Sequence, residues 1–265
     1  MPHWDFPATE PIDLDAEITS GSVTISARPT DTITVDVQPA RRSGDDLADQ
    51  VRVEYASGRL VISEPTQRNW LRFSSGLDVL VTLPARSNCS VRTVSADVLA
   101  EGELGTLSAR TTSGEISAGA VTGDVKITTI SGRINIEDAA GPVSVKSASG
   151  AVDLGRVGGD LDVDSVSGRV EVGKAAASAS IRTASGRVKV GSLSHGQADI
   201  VTVSGTVELY VAQGIGVYLD MSSLSGRVTS DLEPSGASDQ VDLNLRCRSV
   251  SGGLRVGRAQ LADVS

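Results

Sequence analysis

The sequence predicts an all-β protein: a parallel β-solenoid (β-helix) with coils of about 18 residues, two short strands per coil and a β-rich N-terminal cap. Three observations lead to this prediction: a Ser-Gly pair with a fixed period, apolar columns around it, and a second glycine half a coil later. The predicted domains are the cap over 1–94, the solenoid repeats over 95–257 and a C-terminal tail over 258–265.

The strict part of the repeat lies in the middle of the chain. Successive Ser-Gly pairs are 18 residues apart, at Ser113-Gly114, Ser131-Gly132, Ser149-Gly150, Ser167-Gly168 and Ser185-Gly186. Ser95-Ala96 occupies the same phase one period upstream, and Ser204, Ser225 and Ser251 follow at looser steps. A fixed short period is typical of a solenoid, in which each repeat is one coil stacked on the next.

The residues around each pair alternate between apolar and polar. The positions six and four before the serine are apolar, as in Val125 and Ile127, and so is the position three after it, as in Ile134. This alternation is typical of a half-buried strand, so each coil is predicted to have one strand on either side of the Ser-Gly corner. Glycine at a second corner recurs at Gly105, Gly123, Gly141, Gly159 and Gly196.

One inward-facing position is polar in every coil. The residue two before the serine always carries a hydroxyl, and we call these residues the hydroxyl row: Thr93, Thr111, Thr129, Ser147, Ser165, Thr183, Thr202, Ser223 and Ser249. A buried ladder is predicted, in which each hydroxyl donates to one neighbour and accepts from the next. Ice binding or nucleophilic catalysis is the alternative, but no base accompanies the row.

Residues 1–94 are rich in strand patterns but lack the 18-residue period. Strands are predicted over Ile12–Ile18, Ser22–Ala27, Thr32–Val37 and Asp78–Leu83, with a hairpin of Val51–Tyr55 and Arg59–Ser63. Pro65–Gly76 is a predicted loop that contains Trp70 and Phe73. These two aromatic residues are expected to help cap the first coil; a docking loop for a partner is the alternative. At the other end, Val241–Val256 is expected to close the last coil.

The composition argues against several function classes. A net charge of −9 disfavours specific nucleic-acid binding. His3 and His195 are the only histidines, which leaves little for a catalytic triad or a metal site, and no cofactor motif is present. Cys89 and Cys247 fall in apolar columns and are predicted to be buried thiols. Without a transmembrane run or signal peptide, the expected location is cytoplasmic, with peripheral membrane association as a variant.

Charge is distributed unevenly around the Ser-Gly corner. Nine of the eighteen residues that stand three before or two after the serine are basic; this basic strip contains Arg92, Arg110, Arg133, Lys146, Arg169, Arg182, Arg187, Arg227 and Arg248. Of these, Arg133, Arg169 and Arg187 are expected one coil apart in a single column. The strip is a candidate site for an anionic partner, such as lipid headgroups or an acidic protein segment. A solubilising face that discourages lateral sheet pairing is the favoured alternative.

The chain resembles a bacterial β-strand-repeat family of adhesin-like proteins, also called Toastrack domains, over nearly its whole length. The resemblance lies in the repeated units and in four segments: Ser20–Ile25, Val79–Pro84, Val217–Met221 and Arg248–Gly252. Soluble, actinobacterial-type members are the most similar. The resemblance implies this fold and a link to envelope-stress systems, and it implies no catalytic residues.

The predicted function is therefore a non-enzymatic binding or scaffold module in envelope-stress sensing, with a protein or an anionic surface as its partner. A self-assembling structural solenoid, made by end-to-end stacking of copies, is the first alternative. A carbohydrate-active β-helix enzyme is the second, with Asp153, Asp162, Asp164 and Glu171 as the outer-face carboxylates.

Overall fold

The computed structural model describes residues 2–40, 48–65, 76–233 and 241–259. The chain divides into two compact units, Met1–Arg133 and Ile134–Ser265. The cap boundary after residue 94 stays a prediction, because this division lies elsewhere and does not test it. Most of the predicted loop, with Trp70 and Phe73, falls outside the described residues.

The described part of the first unit contains ten strands. They are β1 (His3–Pro7), β2 (Asp13–Arg28), β3 (Thr32–Pro39), β4 (Arg52–Ala56), β5 (Arg59–Ser63), β6 (Leu77–Pro84), β7 (Asn88–Leu104), β8 (Leu107–Ser113), β9 (Ile116–Val121) and β10 (Val125–Ser131). Strands β2 and β7, with 16 and 17 residues, are long enough to bend through a corner.

Strand β2 is already a coil of the solenoid. It pairs in parallel with β7, and Ser20 and Gly21 lie opposite Ser95 and Ala96. Before its corner β2 pairs with β5, and after its corner it pairs with β6. The first coil of the solenoid is therefore β2. Its Ser-Gly pair does not follow the 18-residue period, because a long segment separates β2 from β7.

Two antiparallel groups cover the outer side of β2. The hairpin β4–β5 turns at Ser57 and Gly58, both of which have positive φ angles, as a tight two-residue turn requires. After the corner, β6 pairs with β3 and β3 pairs with β1, in each case antiparallel. These strands protect the parallel edge of β2, which is what a cap must do.

The described part of the second unit contains eight strands. They are β11 (Ile134–Ala139), β12 (Val143–Val157), β13 (Leu161–Ala175), β14 (Ala179–Leu193), β15 (Gly196–Val211), β16 (Val217–Ser223), β17 (Val228–Ser230) and β18 (Leu243–Arg258). From β12 to β15 each strand pairs in parallel with the next, with serine opposite serine and glycine opposite glycine at the corner. The predicted parallel solenoid is confirmed.

The Ser-Gly corner takes two forms. Strands β8 and β9 of the first unit are the predicted pair of short strands on either side of Ser113-Gly114. In β12–β15 the pairing continues through the Ser-Gly pair, so each coil reads as one bent strand of 15 or 16 residues. Gly168 shows how the bend is made: its φ is +138°, and a Cβ there would overlap the carbonyl oxygen of Gly150. Glycine is required because the chain turns sharply while lying directly on the coil below.

The strand order at the end of the second unit also differs from the prediction that Val241–Val256 closes the last coil. Strand β18 does not close the stack; it lies between β15 on one side and β16 with β17 on the other. The apolar residues of β18, such as Leu245 and Cys247, are fully buried and need a coil on both sides. Strand β16 tolerates the outer place because Leu219 and Met221 are only half-buried there.

The apolar columns form the core of each unit, as predicted. The position four before the serine is completely buried at Ile127 in the first unit and at Val145, Val163, Ile181 and Ile200 in the second. Full burial of such a side chain contributes about 1.5–3 kcal/mol. The polar residues between them face outward, so each coil has one buried and one exposed surface.

Candidate functional site

The basic strip lies on the exposed surface on both sides of the corner. All nine of its side chains are exposed: Arg92, Arg110 and Arg133 in the first unit, and Lys146, Arg169, Arg182, Arg187, Arg227 and Arg248 in the second. The alternation of the strands explains this, because the inward columns lie one residue away from each of them. Whether the strip binds a partner stays a prediction.

In the second unit, two strip arginines are neutralised by carboxylates. Arg182 lies 3.4 Å from Asp162 and 3.5 Å from Asp164. Arg169 lies 3.3 Å from Asp153 and 3.6 Å from Glu171. These are the four carboxylates of the enzyme alternative. A glycosidase needs an acid and a base that face its substrate; here both members of each pair contact an arginine.

The remaining strip residues of the second unit have no ion pair within the described part of the chain; they are Lys146, Arg187, Arg227 and Arg248. The expectation of three arginines one coil apart in a single column is wrong. Ala151 occupies the position of that column on β12 and pairs with Arg169, so only Arg169 and Arg187 are adjacent. The charge density along the column is therefore lower than the simple period implied.

An apolar row beside the strip was not predicted. Except at Thr112, the residue directly before the corner serine of each repeat is apolar and exposed. The larger of these residues form an exposed ridge in each unit: Val94 and Ile130 in the first unit, and Val166, Val203, Leu224 and Val250 in the second. Leu224 is 85% exposed, the largest value among them. The sequence contains this signal as a column of Val, Ala, Ile and Leu interrupted by Thr112, but the alternation of the strands predicts polar residues at outward positions.

Eight of the nine residues of the hydroxyl row are buried, as predicted, and Ser223 on the outer strand β16 is half-buried. The hydrogen bonds of the row differ from the predicted ladder. Among the described residues one side-chain pair is bonded, with Thr93 donating to Thr111 at 2.9 Å. Five members donate to the carbonyl oxygen of the corner serine two residues later: Thr111, Thr129, Ser147, Ser165 and Thr183. Parallel strands lie about 4.8 Å apart, too far for most short hydroxyl side chains to reach each other.

Two neighbouring members of the row make no hydrogen bond within the described structure. They are Thr202 and Ser249, which lie opposite each other on β15 and β18. Both hydroxyls are buried, so the local bond to the corner carbonyl is missing where the repeat loosens. The row therefore stabilises the corner of the regular coils and offers no exposed nucleophile.

The two cysteines are buried free thiols, as predicted. Burial raises the pKa of Cys89 to about 12, and burial with the nearby Asp199 raises the pKa of Cys247 to about 12. Both thiols are therefore protonated at neutral pH and unsuited to act as nucleophiles. In the described ranges no cluster of three or more His, Cys, Asp or Glu residues could hold a metal ion.

No helix in the described part of the chain is both long and apolar enough to span a bilayer. The aromatic residues Trp70 and Phe73 of the candidate docking loop lie outside the described residues. Their predicted role therefore stays a prediction.

Three solved structures align with nearly the whole chain. A "putative adhesin" from Bacteroides fragilis has 12% identity and a TM-score of 0.44, covering 97% of this chain and 96% of its own. A "putative lipid binding protein" from Parabacteroides distasonis has 11% identity and a TM-score of 0.41, covering 96% of each chain. A "putative adhesin" from Parabacteroides merdae has 8% identity and a TM-score of 0.40, covering 96% of this chain and 95% of its own.

No curated protein matches this chain. The resemblance to actinobacterial-type members stays a prediction. A family model described as Toastrack DUF4097 matches residues 9–262, which is nearly the entire chain. Its coils, its corners and this match together show that the chain belongs to the Toastrack DUF4097 family.

Proposed function

We propose that the chain is a non-enzymatic binding module that docks on an anionic lipid surface along its exposed ridge. The observation that carries this proposal is the apolar ridge with arginines on either side of it. Apolar side chains of this size enter the boundary between headgroups and acyl chains, while guanidinium groups bind the phosphates. The apolar ridge and the flanking arginines together favour a lipid surface more strongly than either feature does alone.

The second unit illustrates the arrangement. Val203 is 52% exposed and Leu224 is 85% exposed, so both can leave water on docking. Arg187, Arg227 and Arg248 have no ion pair in the described part of the chain, so binding a phosphate breaks no existing contact. The free-energy cost of moving these guanidinium groups to the lipid surface is therefore limited to their own desolvation.

Co-sedimentation with vesicles that contain phosphatidylglycerol tests the proposal. The parent protein should bind at low salt and release at high salt, because exposed charges are screened. The triple variant Arg187→Gln, Arg227→Gln and Arg248→Gln should lose binding. The control Arg156→Gln, Lys174→Gln and Lys189→Gln removes the same charge away from the ridge and should bind as the parent does. Failure of the parent to bind at low salt contradicts the proposal.

The ridge has its own test. Val203→Ser with Leu224→Ser should weaken vesicle binding at every salt concentration, because apolar burial is not screened by ions. Binding by this variant that equals the parent's would show that the ridge stays in water and that only the arginines act.

In a finer form of the proposal the protein is cytoplasmic and peripheral to the membrane, as expected from the sequence, and part of envelope-stress sensing, as the resemblance implies. Fractionation of cells before and after an agent that disrupts the envelope tests it. We expect the protein to move between the soluble and membrane fractions, and an unchanged distribution contradicts this finer form.

Self-assembly is the second candidate function, and the end of the second unit favours it. Within the described residues β16 and β17 pair with β18 on one side, and Val228 on β17 is 41% exposed. An open strand edge with exposed apolar residues favours pairing with another copy. Sedimentation velocity over a range of protein concentrations should then show growing oligomers, which Val228→Lys should suppress.

A further inference from the structure

A shallow groove crosses strands β7, β8 and β10 on the exposed surface of the first unit. Its polar lining consists of Ser90, Arg92, Ser108, Arg110, Lys126 and Thr128, and we call it the basic groove. Its volume is about 90 Å³. Pockets for drug-sized ligands are about 300–1,000 Å³, so this groove suits a single small group.

The strand register brings three cations to this place. Arg92 lies directly opposite Arg110, and Lys126 lies opposite Ser108. Neighbouring strands are about 4.8 Å apart, and like charges placed opposite each other across strands are destabilising. Arg92 and Arg110 therefore repel each other unless an anion lies between them.

Carboxylates of the protein neutralise these three cations only in part. Arg92 lies 3.1 Å from Asp15, but Asp15 also lies 2.8 Å from Arg59, so one carboxylate serves two guanidinium groups. Arg110 and Lys126 have no ion pair within the described residues. The groove therefore carries net positive charge in a chain that is acidic overall.

Hydroxyl groups complete the lining between the cations. Ser90 and Ser108 are opposite each other in one row, and Thr128 is opposite Arg110 in the next. Each can donate one hydrogen bond in addition to those of the arginines and the lysine. Paired arginine forks, an ammonium and hydroxyl donors are the groups that bind tetrahedral phosphate oxygens.

We propose that the basic groove binds a single phosphate group, either inorganic phosphate or the phosphomonoester of a lipid headgroup. The anion lies over Ser90 and Ser108, where Arg92, Arg110 and Lys126 surround it. This site does not depend on the exposed ridge, because it needs no apolar contact and binds free phosphate in solution.

Calorimetric titration of the full chain with inorganic phosphate at low ionic strength tests the proposal. We expect binding in the millimolar range or tighter. Arg110→Gln and Lys126→Gln should each weaken it by about tenfold, the loss of one charge-assisted contact. Arg52→Gln, an exposed arginine of the same unit that pairs with Glu54, should change nothing. No heat of binding by the parent, or binding by both groove variants as tight as the parent's, overturns the proposal.

Two vesicle arms distinguish the source of the phosphate. Vesicles with phosphatidic acid present a phosphomonoester, and those with phosphatidylglycerol present a phosphodiester. Binding to the first that inorganic phosphate displaces and Lys126→Gln weakens indicates a lipid headgroup as the ligand. Binding of inorganic phosphate without this lipid preference indicates free phosphate. Docking through the exposed ridge is separable, because it would persist in Lys126→Gln on phosphatidylglycerol.

Discussion

The basic groove of the first unit and the matching surface of β13 and β14 use the same coil positions, yet their charges are balanced differently. Arg110 lies opposite Thr128, whereas Arg182 lies opposite Asp164 in the second unit. Arg182 is paired with two carboxylates, and Arg110 has no ion pair among the described residues. The period determines where a side chain stands, but the carboxylates on its own and the adjacent coils determine whether its charge is available to a ligand.

The largest effect is expected at the boundary between the two faces of β10. Ile127 is completely buried, so Ile127→Asp places an unpaired carboxylate in the core and should cost about 4 kcal/mol or more, enough to prevent soluble folding. Lys126→Asp, one residue away on the groove, should fold normally and lose phosphate binding. Soluble expression and circular dichroism check both variants; equal tolerance of the two would break the two-faced coil on which the comparison depends.

A smaller effect is expected at the corner that keeps the columns aligned. Gly168→Ala should destabilise the protein by about 2–4 kcal/mol, because a Cβ overlaps the carbonyl oxygen of Gly150 and φ is positive. Gly253→Ala is the matched control, since a Cβ there has no neighbour within 4 Å. Urea unfolding of both variants measures the difference. Similar midpoints for the two would mean that the corner does not hold the coils in register.

Exchanging the residues opposite Arg110 and Arg182 tests directly why the two surfaces differ. Thr128→Asp supplies the missing carboxylate opposite Arg110 and should weaken phosphate binding by about tenfold. Asp164→Thr removes one of the two partners of Arg182 and should create weak phosphate binding in the second unit, next to Lys146. Calorimetric titration checks both, and phosphate affinities that ignore the exchange would show that the facing residue is not what separates the surfaces.

The smallest effect is expected in the hydroxyl row. Thr183→Val removes the hydrogen bond from its hydroxyl to the carbonyl oxygen of Ser185 and should cost about 1 kcal/mol. Thr202→Val, on the next coil, removes a buried hydroxyl that has no partner in the described structure and should be neutral or stabilising. Thermal unfolding of the two variants gives the comparison, and a larger loss for Thr202→Val would contradict the local bonding of the corner.

The period alone predicted the fold, the inward columns and the burial of Cys89 and Cys247, because stacked coils repeat one environment every 18 residues. It did not predict the coil at β2, whose phase is hidden by the long segment before β7. The place of β18 between β15 and β16 was not predicted either. The sequence of the connecting loop does not determine which side of a coil the next strand pairs with.

The candidate site was predicted only in part. Arg92 and Arg110 were readable as strip residues, but Lys126 stands five before its serine, outside the positions that define the strip. Its link to the groove depends on the register, which places it opposite Ser108 in one column, next to the column that contains Arg92 and Arg110. Ion pairing of Arg169 and Arg182 likewise depends on side chains of adjacent coils. Pairing of this kind is set by side-chain geometry, which periodicity does not contain.

The most direct test of the central claim is a titration of the isotopically labelled protein with inorganic phosphate, followed by amide chemical shifts. The account predicts saturable shifts at Ser90, Arg92, Ser108, Arg110 and Lys126. It predicts no saturable shift at Lys146, Asp164 or Arg182, which occupy the matching positions of the second unit. Equal shifts at both places, or none at the groove, would contradict the claim that neighbouring carboxylates decide which arginines are free to bind.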